Sequence, residues 1–318
     1  EALSLGMSAD SNAFAAAAVT VRPRPGAPLA GVALGLAGVV AFSLSFPATK
    51  LAVESLDPWF IAFGRAAVAS ALAAVVLVAG RAPRPSAAQL RGLAVVAGGV
   101  IVGFPLLTWI ALETVGSAHA AVVIAVLPAA TAVAAVLRGG ERPGPLFWAA
   151  AAAGSLLVAG YVLGRSGGGH GLVLADVWLL LGVVVCGLGY AEGGRLARDL
   201  GGARTICWAL VLSAPLTLPV AVISGIGGGV ADASATAWGG FAYVSIFSMF
   251  LGFFAWYAGL SRGGIARVGQ VQLAQPLLTI GWSALLLGEA VDLGLLGVAL
   301  AVLACVAVAQ RARVGRSS

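Results

Sequence analysis

LETVGSAHAAVVIAVLPAATAVAAVLRGGE, residues 112–141, and LSRGGIARVGQVQLAQPLLTIGWSALLLGE, residues 260–289, are two spellings of one phrase. Leu112, Gly116, Ala118, Val123, Pro128 and Glu141 recur 148 positions later as Leu260, Gly264, Ala266, Val271, Pro276 and Glu289. A weaker echo precedes each copy: Gly38, Val39, Val40, Leu44 and Phe46 align with Gly182, Val183, Val184, Leu188 and Tyr190 at an offset of 144. Duplication inside almost wholly apolar surroundings marks a membrane protein built from two related halves.

Composition fixes the medium. The chain is 60% hydrophobic and only 9% charged, with a mean hydropathy of +1.03, too little polar surface to cover a soluble globule of 318 residues. Runs long enough to cross a bilayer core, which takes roughly 20 apolar residues, occupy 29–50, 59–79, 90–112, 118–137, 146–163, 173–190, 206–223, 238–260, 268–287 and 293–309. They are too long for barrel strands and lack a period of two, so the spanning elements are helices. The expected fold is all-α: a polytopic membrane protein of ten transmembrane helices. Since five spans separate the copies, the two five-helix repeats are inverted relative to each other, the arrangement that supports alternating access.

The expected division is a disordered cytosolic segment at 1–28, a first repeat at 29–165, a second at 173–310 and a basic cytosolic tail at 311–318. Met7 reads as the natural start, with 1–6 an added remnant. Numbering the connections alternately puts fifteen arginines on one side (22, 24, 81, 84, 91, 138, 142, 195, 198, 204, 262, 267, 311, 313 and 316) and Arg165 alone on the other. Cytoplasmic loops hold the excess of basic residues, so both termini are expected in the cytosol. The net charge of +6 then reflects topology and anionic lipid, with no nucleic-acid partner implied. Cys186, Cys207 and Cys305 lie alone in separate runs, and His119 and His170 have no neighbours at ligand spacing, so no disulfide, metal or cofactor is expected.

The Pro128 to Glu141 and Pro276 to Glu289 elements resemble the drug/metabolite transporter superfamily, specifically its EamA-like ten-helix carriers. The stretches Trp109 to Leu112 and Trp256 to Leu260 before them, and Arg65 early in the second span, carry the same likeness, which covers about residues 29 to 310. That resemblance implies a secondary transporter of small metabolites in a bacterial inner membrane, often an amino-acid exporter, and the layout is similar to the YddG type. A multidrug or other metabolite carrier is the alternative; a monomer suffices for either.

Within that frame, Pro128 and Pro276 are expected well inside their helices, each freeing the carbonyl four residues earlier, at Ile124 and Gln272. Pro47 and Pro105 are further candidate kinks. Gln272 and Gln275 share a helix face, and with Gln270 they form the polar patch most able to hold an amino or carboxylate group. Phe250, Phe253 and Tyr257 lie on one stripe of the eighth span and, with Trp109, Phe46, Tyr190 and His119, are candidate cavity residues. Arg65 is the most membrane-embedded charge, paired with Glu54, Asp57 or the end of a neighbouring helix, or else receiving an anionic substrate group. Glu141 and Glu289 are expected to cap a neighbouring helix or pair with loop arginines. No carboxylate falls in the middle third of a span, which favours facilitated diffusion or exchange over proton coupling. An intramembrane enzyme would need His119 or His170 deep in a span, and a channel would show no counterflow.

Overall fold

A computed structural model describes residues 28–112, 114, 123–124, 126–165, 174–226, 230–287, 293–312 and 314–316. Among them the helices fall into ten rods. α1 runs Pro28–Ser43 and resumes as Ser45–Ala52; α2 is Pro58–Ala79; α3 joins Ala87–Val96, a π-helical segment Ala97–Gly103 and Phe104–Leu112. α4 is Leu127–Gly139, α5 Pro145–Arg165, α6 Leu174–Leu200 and α7 Gly202–Ile226. α8 joins Ala235–Ala242, a second π segment Tyr243–Gly252 and Phe253–Gly263; α9 joins Ile265–Gly269, a 3₁₀ segment Gln270–Ala274 and Gln275–Leu287; α10 is Leu293–Arg311. The protein is thus an all-α polytopic bundle. One departure is a two-stranded antiparallel ribbon, β1 (Glu141–Pro143) against β2 (Val314–Arg316), which ties the end of the second half to a turn of the first.

The rods start where capping chemistry allows. Asp57 accepts from Phe60 N at 2.9 Å with Pro58 as the first helical residue, and Ser86 forms a reciprocal capping box with Gln89. Ser234 accepts from Ala237 N at the head of α8.

Lipid surrounds the molecule, so burial of apolar surface cannot distinguish one helix pairing from another; close approach does. Along the α1/α8 seam a Cβ added at Gly259 would lie 2.6 Å from Gly35 N, and Gly31 abuts the backbone of Gly263. α6 is the axle of the bundle. Its Gly187 meets the backbone of Ala130 and Thr131 in α4, Gly189 meets Val100 in α3, and Gly193 and Gly194 receive Tyr257 and Ile265. Gly99 in turn presses on the Val185 carbonyl. Among the described residues nothing approaches a Cβ built at Gly160 in α5.

The Gly31–Gly263 contact places the start of α1, the end of α8 and the start of α9 at one end of the bundle. Arg267 donates to Ala312 O at 3.1 Å, bringing the end of α10 there as well. This is the terminal end below; α2 begins at the opposite end.

Candidate functional site

Three glutamines enter the protein interior where α9 changes its winding. In the 3₁₀ segment, Gln270 is 0% and Gln272 8% exposed, unusual for amides in a chain this apolar. Gln270 Nε2 donates to Pro128 O at 3.2 Å, joining the starts of the two proline-bearing helical segments. Gln272 Nε2 reaches Gln275 Oε1 at 3.4 Å and, at a long 3.5 Å, the Tyr190 hydroxyl of α6. The Oε1 atoms of Gln270 and Gln272 are buried without a hydrogen-bond partner. Each is therefore an acceptor that a bound donor would satisfy.

An aromatic wall stands beside them. Tyr190 meets Trp256 edge-on, ring centroids 5.2 Å apart, and Phe42 packs on Phe253 at 4.7 Å. Tyr257 is fully buried and donates to Gly189 O at 3.5 Å. Phe250 pairs with Phe254 at 4.6 Å, whereas Phe247 is exposed.

The prolines fall close to changes in helical winding. Pro128 is in the first turn of the Leu127–Gly139 segment, four residues after helical Ile124. Pro276 lies well inside α9, two residues past the end of its 3₁₀ segment. The Gln272 carbonyl is not freed: the 3₁₀ turn hands it the N–H of Gln275 instead. Pro47 does free a carbonyl, that of Ser43, at the break in α1, and Thr279 Oγ1 of α9 takes it at 2.8 Å. Trp282 Nε1 donates to Ser43 Oγ at 3.0 Å beside it. Pro105 stands two residues past the end of the π segment of α3.

At the terminal end two buried carboxylates bridge the halves. Gly139 and Gly140 end α4, Gly140 in the left-handed conformation at φ 67°, which turns Glu141 back beneath the bundle. Glu141, 1% exposed, accepts from the backbone N–H of Ile265 and Ala266 at 2.8 Å each and pairs with Arg198 at 3.2 Å. Gly264, at φ 92°, is the joint between α8 and α9 that aims those two amides at it. Glu192, also 1% exposed, pairs with Arg138 of α4 at 3.1 Å and with Arg195 of its own helix at 2.5 Å. Glu192 and Arg138 escape a reading based on hydropathy because α6 continues ten residues beyond Tyr190 as an amphipathic extension. The Glu192/Arg195/Arg198 spacing of three was the available signal.

Arg65 pairs with neither acid proposed for it: Asp57 caps α2, and Glu54 is exposed in the connection. Its Nε is buried and unpartnered, like Thr108 Oγ1 and Trp109 Nε1 of α3. Trp109 does not join the Gln272 cluster; it packs on Trp59 at 5.9 Å near the opposite end. His119, Glu289 and the side chain of Phe46 lie outside the described residues.

A duplicated, inverted helical bundle whose interior holds amide acceptors and an aromatic wall defines the class of the protein: a multi-pass carrier of small molecules. The chain belongs to the EamA-like transporter family, which matches residues 29–163 and 173–310. It is 50% identical over 283 residues to a Bacillus subtilis (strain 168) protein described as uncharacterized transporter YdeK, across 87% of this chain and 96% of that relative. A solved structure titled only as the crystal structure of a protein is 19% identical and superposes with a TM-score of 0.68, covering 88% of this chain and 96% of the other. That likeness speaks to the fold.

Proposed function

We propose that the protein exports amino acids across a bacterial inner membrane by alternating access, with both termini cytosolic. The observation that supports this most is two buried, unpartnered acceptors: Gln272 Oε1, on the side chain that reaches the Tyr190 hydroxyl, and Gln270 Oε1, on the side chain bonded to Pro128 O. An ammonium group supplies three donors and matches acceptors better than any anion does. Phe253 and Trp256 stand within ring contact of Tyr190, at 6.4 and 5.2 Å, and offer an apolar surface for a side chain. Mechanically, the first half meets the second at the terminal end through Glu141 and Glu192, whose ion pairs and amide bonds hold that end shut. Opening it requires these contacts to part, which a rocking of one half against the other would do.

The test is counterflow in liposomes holding purified protein, screening the twenty amino acids without an imposed pH gradient. Saturable exchange of one or more is expected, and Gln272→Leu with Gln275→Leu should cut it more than tenfold while leaving the unfolding temperature within a few degrees. Exchange of none, or undiminished exchange in the double variant, overturns the reading; accumulation of hydrophobic cations instead would identify a multidrug carrier.

A further inference from the structure

The helix rise separates two polar stations that the sequence alone places in one list. Arg65 stands seven residues after Pro58, so about 10 Å along α2 from the end opposite the termini. Gln272 stands seven residues after Ile265, about 10–12 Å along α9 from the terminal end. In a hydrocarbon layer roughly 30 Å thick, they are therefore offset by about 10 Å along the bundle axis. One amino acid's ammonium and α-carboxylate cannot touch both together.

Arg65 has the features of a binding group and lacks those of a structural one. Its neighbours one turn away on the same face, Ile61 and Ala69, are 3% and 0% exposed, so that face of α2 is turned into the protein. The guanidinium has no hydrogen bond or ion pair among the described residues, its Nε is buried, and the rest of the side chain is partly accessible. A cation at this depth without a partner is costly and persists where an anion or a water path meets it. Ala62, three residues before it, opens onto a cleft between α2 and α3 walled by Trp59, Phe63, Pro105 and Trp109. Thr108 Oγ1 and Trp109 Nε1 on that side of α3 are also buried without partners.

We infer that Arg65 is a second station, binding a carboxylate attached to an apolar or aromatic body in the half of the bundle away from Gln272. A guanidinium suits this role because its planar fork takes both carboxylate oxygens at once. The inference rests on the reading of the interior as a path for small polar metabolites, and its chemistry is distinct from the ammonium-accepting site at Gln272.

Thermal unfolding of the purified protein in detergent, titrated with benzoate and with its neutral isostere benzamide, tests it. Benzoate should raise the unfolding temperature saturably and benzamide should not. Arg65→Gln should weaken the benzoate response at least tenfold, Arg65→Lys less, and Gln272→Leu should leave it intact, so failure of the Gln272 site and failure of this one read out separately. Should the glutamine variant not fold, the graded loss in Arg65→Lys carries the test. No benzoate response in the wild type, equal responses to both probes, or a response surviving in Arg65→Gln overturns the inference. So does displacement of benzoate by added phosphatidylglycerol, which would make a lipid headgroup the occupant.

Discussion

The terminal end and the half around Arg65 handle buried charge in opposite ways. Glu141 is met by one guanidinium and two backbone amides, and Glu192 by two guanidinia; Arg65 meets nothing among the described residues. A carboxylate so fully matched is fixed in place, and its role is to hold elements together. A cation left unmatched inside an apolar bundle is held ready for something that arrives.

The contrast can be broken by substitution. Glu141→Ala should do the most damage: it removes the ion pair to Arg198 and takes the acceptor from two amides at the α8/α9 joint, a loss of about 3–5 kcal/mol, read as a large drop in unfolding temperature, with Glu141→Gln intermediate. Gly264→Ala should follow at about 1–3 kcal/mol, because an alanine at φ 92° is strained and the amides facing Glu141 shift. Glu192→Gln should cost about 1 kcal/mol, since its partners Arg138 and Arg195 are 51% and 41% exposed and solvent already screens them. The gap between that variant and the wild type should narrow in high salt. Arg65→Gln should leave the unliganded unfolding temperature unchanged or slightly raised, as a charge with no partner among the described residues is removed. A loss there as large as that of Glu141→Ala would show Arg65 to be a matched structural charge after all.

Most of the architecture is legible in the chain because the membrane imposes one rule, long apolar helices, on every span. The expected runs at 59–79 and 146–163 correspond to α2 (Pro58–Ala79) and α5 (Pro145–Arg165) within a few residues. Where hydropathy stops being the rule, the reading falters. α6 reaches Leu200 because Glu192, Arg195 and Arg198 carry it past the apolar run as members of ion pairs. Pro276 does lie inside its helix, but the 3₁₀ turn before it keeps the Gln272 carbonyl bonded, which a proline in the sequence does not announce. The polar cluster was partly visible: an amide in an apolar run announces itself, as Gln270 and Gln272 do. That Trp109 belongs to the Trp59 cleft and not to the glutamines depends on which helices meet, which no single run of residues encodes.

The π-helical segments in α3 and α8 occupy corresponding places in the two halves, Ala97–Gly103 and Tyr243–Gly252. Each widened turn accommodates a residue more than an α-helical turn would, so everything beyond it is rotated by about 100° relative to an unbroken α-helix. The face that Trp256 shows to Tyr190 is thus set by a miscount that the chain carries twice. Removing one residue from Tyr243–Gly252 would restore the regular count and swing Trp256 off Tyr190. Moving the widened turn along the helix would rotate the aromatic wall without breaking the rod.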